Sequence, residues 1–235
     1  MQPLGYSTGA LALSDYRKAL EMLGDQPVTA IELSAIRKGE LIPLLRSLDD
    51  LDLSRFGYVS IHAPSEFSPE EEGWIFQELY ENRHRGWPII VHPDTLHDRS
   101  LWRLLGHLLC VENMDKRKPT GRTARELGLL FDALPGARFC FDLGHARQVD
   151  TSMVEAYRML RDFAPRLQQV HVSEVNTQNK HDPLSFVSIL DFQEVAQMIP
   201  PAVPVIIESI VSREQIGPEI ERVQKALTTP HGGWR

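Results

Sequence analysis

With 235 residues, a net charge of −7, 42% hydrophobic and 24% charged content, the chain is sized for one large domain or two small ones. No apolar run approaches the roughly 18 residues of a membrane span, and Met-Gln-Pro-Leu-Gly-Tyr is no basic leader followed by an apolar core, so a cytoplasmic protein is expected. The acidic balance gives no overall basic footprint for nucleic acid, although bound cations can reverse the field at one site.

Short β-type runs alternate with amphipathic segments along the whole chain, which predicts a parallel sheet with helical crossovers. The first strand covers Leu4 to Thr8, and Ser14 caps a helix to about Leu23. Val28 to Leu33 is the second strand, with Glu32 near its end, and a helix over about Glu40 to Leu48 follows. Tyr58 to His62 is the third strand. Ser68-Pro69-Glu70-Glu71 opens a helix that runs to about Arg83, with a cap, a proline at the first helical position and acids in the first turn.

Pro88 to His92 is the fourth strand, and a helix near Ser100 to Leu105 leads to the fifth, His107 to Asn113. The loop Met114 to Gly121 brings Lys116, Arg117 and Lys118 close to Arg122, a basic cluster that reads as a solvated loop or a phosphate contact. Thr123 to Leu134 is helical. The sixth strand ends in Phe-Asp-Leu-Gly-His, with Asp142 and His145 either a turn and cap or a metal and acid–base pair. A helix over about Ser152 to Phe163 leads to the seventh strand, Leu167 to Ser173, which carries His171. The polar loop Glu174 to Ser185 contains Asn179, Lys180, His181 and Asp182. A helix near Ile189 to Met198, the strand Val203 to Ile207 delivering Glu208, and a helix over Glu214 to Leu227 complete the pattern.

Eight strand–helix units in this length predict a single (β/α)8 TIM barrel over residues 1–227 with a flexible tail over 228–235. A doubly wound open sheet is the competing fold. The barrel is favoured because polar groups finish nearly every strand, and only a barrel gathers all eight carboxyl ends at one mouth.

Residues two apart on a strand share a face. Ser60 thus pairs with His62, Ile90 with His92, Cys110 with Glu112, Cys140 with Asp142, Gln169 with His171 and Ile206 with Glu208. The first member of each pair would fill the barrel layer beneath, leaving Cys110 and Cys140 as reduced packing residues. The second would stand at the rim. Three imidazoles and three carboxylates in one cavity repel and desolvate one another unless a divalent cation takes them as ligands.

Val-Glu-Asn at 111–113, Phe-Asp-Leu-Gly-His-Ala at 141–146, Val-His-Val-Ser at 170–173 and Ile-Ile-Glu-Ser at 206–209 resemble the ligand-bearing strand ends of the xylose isomerase-like TIM barrel superfamily. That superfamily includes sugar phosphate isomerases and epimerases and endonuclease IV-like proteins, and the resemblance covers nearly the whole chain. It implies a shared divalent metal on Glu112, Asp142, His171 and Glu208. In the isomerase branch Glu112 and Glu208 would also be the catalytic proton carriers, working on a keto sugar through an enediolate. His62, His92, His145, His181 and Glu32 would bind substrate. In the endonuclease branch a cluster of three Zn²⁺ ions would add His62, His92, His145 and His181 as ligands. This chain departs there from the usual Asp-x-His pair, having Asn179-Lys180-His181, with Asp182 as a substitute ligand. The cofactor implied is one to three ions of Mn²⁺, Mg²⁺ or Zn²⁺. The partner implied is a small carbohydrate rather than nucleic acid or a membrane, and homo-oligomerisation is left open.

Overall fold

Eight parallel strands, which begin at Leu4, Val205, Leu167, Arg138, Leu109, Ile89, Tyr58 and Ala30 in their order around the ring, close on themselves, so every barrel strand is paired on both sides and every carboxyl end opens on one mouth. The computed structural model describes residues 2–228. The tail expected over 228–235 lies outside them except for Thr228, whose hydroxyl donates to Gln224 O at 2.7 Å.

In the first half, β1 (Leu4–Ser7) runs into α1 (Thr8–Ala12) and α2 (Tyr16–Leu23). Then follow β2 (Ala30–Ser34), α3 (Lys38–Ser47), β3 (Tyr58–His62), α4 (Pro69–Glu81), β4 (Ile89–Val91) and α5 (Arg99–Trp102). The second half continues with β5 (Leu109–Glu112), α6 (Ala124–Ala133), β6 (Arg138–Asp142), α7 (Leu143–Val149), α8 (Val154–Phe163) and β7 (Leu167–Val172). A small antiparallel hairpin, β8 (Glu174–Val175) with β9 (His181–Asp182), precedes α9 (Phe186–Ala196), β10 (Val205–Ile207) and α10 (Ile216–Ala226).

Strand parity divides the molecule. Outward positions such as Ile31, Leu33, Ile61, Val91, Val111, Phe139, Phe141, Val172 and Ile207 are buried against the helices in one large apolar core. Each such side chain stabilises the fold by about 1.5–3 kcal/mol on burial. The inward positions are different. Ile90, Cys110 and Cys140 form a separate small apolar cluster inside the barrel, directly beneath the strand-end His and carboxylate residues, as the pairing along each strand predicts. Both cysteines are free thiols.

The helix after Ser68 begins as expected, with a reciprocal capping box between Ser68 and Glu71 and Pro69 at the first position. Ser14 is not the cap of α2. Asp15 fills that position, its Oδ1 accepting from Lys18 N at 3.0 Å. Helices α1 and α7 and the β8–β9 hairpin were not anticipated. Glu32 sits below the strand end because β2 runs to Ser34, one residue past the expected end at Leu33. Ser34 pairs in register with His62, and Glu32 with Ser60 one layer below.

Candidate functional site

The mouth of the barrel holds a cavity of about 250 Å³, with Glu112 and Glu208 among its walls. Glu112 stands at its centre, 1% exposed, with its two oxygens facing different partners. Oε2 lies 3.2 Å from His62 Nε2 and 3.4 Å from His92 Nε2. Oε1 lies 3.2 Å from His145 Nδ1 and 3.4 Å from His171 Nδ1. One carboxylate therefore serves two donor groups: His62, His92 and Glu112; and Glu112, Asp142, His171 and Glu208. Within each group the donor atoms all lie within 4.8 Å of one another.

Each ligand is aimed by local structure. His62 ends β3, and its Nδ1–H donates to Ala63 O at 2.6 Å, turning Nε2 toward Glu112. Asp142 ends β6 and caps α7, so the cap and the acid readings of this residue hold together. Its Oδ1 accepts from His145 N at 2.6 Å, while Oδ2 is buried with no hydrogen-bond partner. Gly144 is required in that first turn, because a Cβ there would come within 2.5 Å of Ser173 O. Asn113 extends the β5–β6 ladder past its end. It donates to Asp142 O and accepts from Asp142 N, both at 2.8 Å, and fixes the two ligand-bearing strand ends together. Its identity was legible in Val-Glu-Asn, but its role was not.

Beneath the rim, Glu32 is fully buried. Its Oε2 accepts from His171 Nε2 at 3.0 Å, from Gln169 Nε2 at 2.6 Å and from Ser60 Oγ at 3.3 Å. The Gln169 and His171 nitrogens approach to 2.7 Å around that shared oxygen. Glu32 is thus not a wall of the cavity, which corrects its expected substrate contact.

His145 and His181 do line the cavity. His181 Nδ1 sits 2.8 Å from Ser173 Oγ and 3.5 Å from Glu208 Oε2. The carboxylates beside them, Glu112, Asp142 and Glu208, already belong to the other donor groups. Asn179 Oδ1 is taken by Gln148, and Asp182, named above as the substitute ligand, is held by Asn176 Nδ2 at 2.7 Å on the hairpin.

The electrostatics follow from packing nine titratable groups, Glu32, His62, His92, Glu112, Asp142, His145, His171, His181 and Glu208, in one small volume. Burial pushes Glu112 up, but the imidazoles of His171, His145 and His62 outweigh it and hold the carboxyl well below its usual range. Burial pushes Glu208 up to about 8, reinforced by the charges of Glu112, Asp142 and Glu32. Burial also raises Asp142. His62 and His145 resist their own burial and rise to about 9 and about 10 beside these carboxylates. His181, buried and facing cationic His145, drops to about 3.

The donor set fits a divalent cation. Asp142 Oδ2 and His171 Nδ1 in one group, and His92 Nδ1 beside the other, are buried polar atoms without partners, an arrangement that costs free energy unless a charge compensates it. Carboxylate-rich coordination with one imidazole suits Mg²⁺ or Mn²⁺, and the His-rich group suits Zn²⁺.

No protein-family model matches this chain, and no curated protein does. Solved structures match over nearly its whole length. A protein of Anabaena variabilis ATCC 29413, assigned as a sugar phosphate isomerase/epimerase, superposes with a TM-score of 0.60 at 14% identity, covering 100% of this chain and 90% of that one. A xylose isomerase-like TIM barrel protein from Mycobacterium smegmatis, solved with magnesium, gives 0.58 at 12% identity, covering 97% and 98%. The chain shares the (β/α)8 barrel fold of these proteins. SacUVDE also matches, at 0.53 and 12% identity, covering 96% of this chain and 100% of that one. Proteins of different names thus share this barrel, and the reaction has to be argued from the site.

Proposed function

We propose that the chain is a divalent-metal-dependent sugar or sugar phosphate isomerase or epimerase. The observation that carries this reading is the placement of Glu112 and Glu208 on the wall of the cavity and in one donor group with Asp142 and His171. Two carboxyls that can share a cation and reach the same substrate are suited to take a proton on one side of it and give one on the other.

In this mechanism Glu112 removes the proton from the hydroxyl-bearing carbon next to the substrate's carbonyl, the hydroxyl proton passes to the former carbonyl oxygen, and Glu208 gives its proton to the former carbonyl carbon of the enediolate. For an epimerase the same pair works on two faces of one carbon. Asp142 stays an acceptor while its Oδ1 caps α7, and His171 is oriented from below by Glu32. His62, His92 and His145, which line the cavity, bind sugar hydroxyls. A cation on Glu112, Asp142, His171 and Glu208 would stabilise the charge developing on the two adjacent substrate oxygens. Magnesium in the Mycobacterium smegmatis structure supports a hard ion here.

A second reading, hydrolysis of a phosphodiester, is supported by the His62–His92–Glu112 group, which would bring another ion beside the first. The carboxylates beside His145 and His181 already serve the other donor groups, and this weighs against the three-ion form.

The test combines metal analysis of the purified protein with deuterium wash-in from heavy water into a panel of keto sugars and keto sugar phosphates. Metal-dependent exchange at a carbon next to the carbonyl is expected. Cleavage of phosphodiesters with no exchange on any sugar would overturn the isomerase reading in favour of the second.

A further inference from the structure

We infer that the substrate of this cavity ends in an apolar group and carries no phosphate: a keto sugar or related hydroxyketone whose terminus is deoxygenated or alkylated. The inference rests on the metal-dependent isomerase reading and narrows its substrate class.

The cavity mouth has two unlike sides. The loops after the adjacent strands β10, β1 and β2 contribute Ile210, Leu13 and Ile36. These large apolar side chains are 54%, 57% and 37% exposed although they belong to the wall of a polar site. Scattered exposed apolar residues need no explanation, but three converging on the rim of one pocket form a contact surface. Leu13 is also held at φ 52, ψ −122, a conformation glycine takes freely and leucine only under strain. Strain of this kind persists where the surroundings impose it, and it concentrates at ligand sites. Behind this lip the packing is close: a Cβ on Gly9 would meet Ile36 Cδ1 at 2.5 Å.

The facing side carries the two Lys and Arg side chains of the wall, Arg117 and Lys118, and neither has charge to spare. Arg117 Nη2 lies 2.7 Å from Oδ2 of Asp115, itself buried. Lys118 Nζ lies 2.9 Å from Asp94 Oδ2 and donates to Ser65 O at 3.2 Å. A phosphate dianion would have to break one of these pairs and approach its carboxylate. In the basic loop that the sequence offers as a phosphate contact, Arg117, Lys118 and Arg122 are each paired with a carboxylate, and the exposed Lys116 is not part of the cavity wall.

The chemistry that matches both sides is a small molecule with adjacent oxygens at the polar floor and hydrocarbon against Leu13, Ile36 and Ile210. A cavity of about 250 Å³ lies just under the roughly 300–1,000 Å³ of drug-sized sites, which suits a monosaccharide. A terminal hydroxyl on the lip would lose water without gaining a partner, whereas each buried methylene should raise affinity about threefold.

Hydroxamates test this directly, since they bind a divalent ion through two adjacent oxygens whatever the natural substrate is. Calorimetric titration of the full-length Mn²⁺-loaded protein would compare acetohydroxamate, butyrohydroxamate, hexanohydroxamate and the hydroxamate of phosphoglycolate. The expected result is affinity rising about threefold per methylene from acetyl to butyryl, with the phosphorylated compound weaker than butyrohydroxamate. The gain should flatten in the Leu13→Ser, Ile210→Ser double variant. Leu13→Gly supplies a control for folding: relief of backbone strain should raise its melting temperature while the butyryl-to-acetyl affinity ratio falls. Metal-dependent binding with no chain-length gain, or tighter binding of the phosphorylated compound, overturns the inference and leaves the metal-site reading standing. Binding that ignores Mn²⁺, or no binding, overturns both.

Discussion

Glu32 Oε2 lies 3.0 Å from His171 Nε2, on the far side of the imidazole from Nδ1, which faces Glu112 and Glu208 at 3.4 and 3.5 Å. With Nε2–H donated to Glu32, Nδ1 is the nitrogen that faces the donor cluster, where a bound cation would take its lone pair in place of a proton. A carboxylate behind a histidine in this way fixes its tautomer and raises its basicity as a ligand. Glu32→Gln should therefore keep the packing but weaken Mn²⁺ binding by about tenfold or more, read by calorimetry. Glu32→Ala should in addition lower the melting temperature, because Gln169, Ser60 and His171 lose their shared acceptor. Unchanged Mn²⁺ affinity in Glu32→Gln would remove Glu32 from the metal centre.

The metal-free protein should lose stability as pH rises from about 7 to about 10. Glu208, raised to about 8, holds a proton in the folded state that the unfolded chain releases above about pH 4.3, so stability falls as pH climbs from there and the loss is complete just above pH 8. His62 and His145, at about 9 and about 10, contribute stability fully present below about pH 6.5 and lost as pH passes their folded values. Glu112 acts at the other limit. Its lowered carboxyl contributes stability above about pH 4.3 that disappears as pH falls through the folded value. Because a metal competes with the same protons, the rise in melting temperature given by Mn²⁺ should grow with pH. Melting curves with chelator and with Mn²⁺ from about pH 6 to 9.5 would check this; a metal-free protein that becomes more stable toward pH 9.5 contradicts it.

Much of this was readable in the chain. Period-two pairing put Cys110 and Cys140 beneath Glu112 and Asp142, and the small Ile90–Cys110–Cys140 cluster lies there. The barrel followed from the His and carboxylate endings, because only closure brings them together. What was not readable was the local continuation past each strand. Thr8–Ala12 is five residues with an internal glycine, too short for a helical period. The start of α7 was hidden because Asp142 spends one oxygen on the helix cap and leaves the other for the site. Glu32 was misplaced by one layer because the sequence does not mark that β2 runs on to Ser34, and the reciprocal Asn113–Asp142 pair depends on a strand neighbour 29 residues away.

His181→Ala should leave the number of bound ions unchanged. Its nearest acid, Glu208 Oε2 at 3.5 Å, already belongs to the other donor group. Asn179 and Asp182 are both engaged within or beside the hairpin. A neutral imidazole, kept so by a pKa near 3, is then a hydrogen-bonding wall for substrate, and its loss should raise KM with little change in ions per chain. Elemental analysis of the variant decides the point: loss of one ion per chain would place His181 among the ligands and favour phosphoester hydrolysis.

Glu112→Gln and Glu208→Gln should both abolish turnover, by about 10²-fold or more for loss of an acid–base group, but they should differ in metal content. Glu112 faces His62 and His92 with one oxygen and His145 and His171 with the other. Its replacement by an amide removes the shared anion of both donor groups, so the imidazoles lose the charge that drew a cation among them. Glu208 belongs to the group of Asp142 and His171 and is not part of the His62–His92–Glu112 group; its amide variant keeps Glu112 as the central anion. Glu208→Gln should therefore retain Mn²⁺ with weakened affinity and still lose proton transfer. The measurement pairs Mn²⁺ titration with deuterium exchange on the best substrate found. If Glu208→Gln binds Mn²⁺ and exchanges at the wild-type rate, Glu208 is not a proton carrier, and a one-base mechanism through Glu112 takes its place.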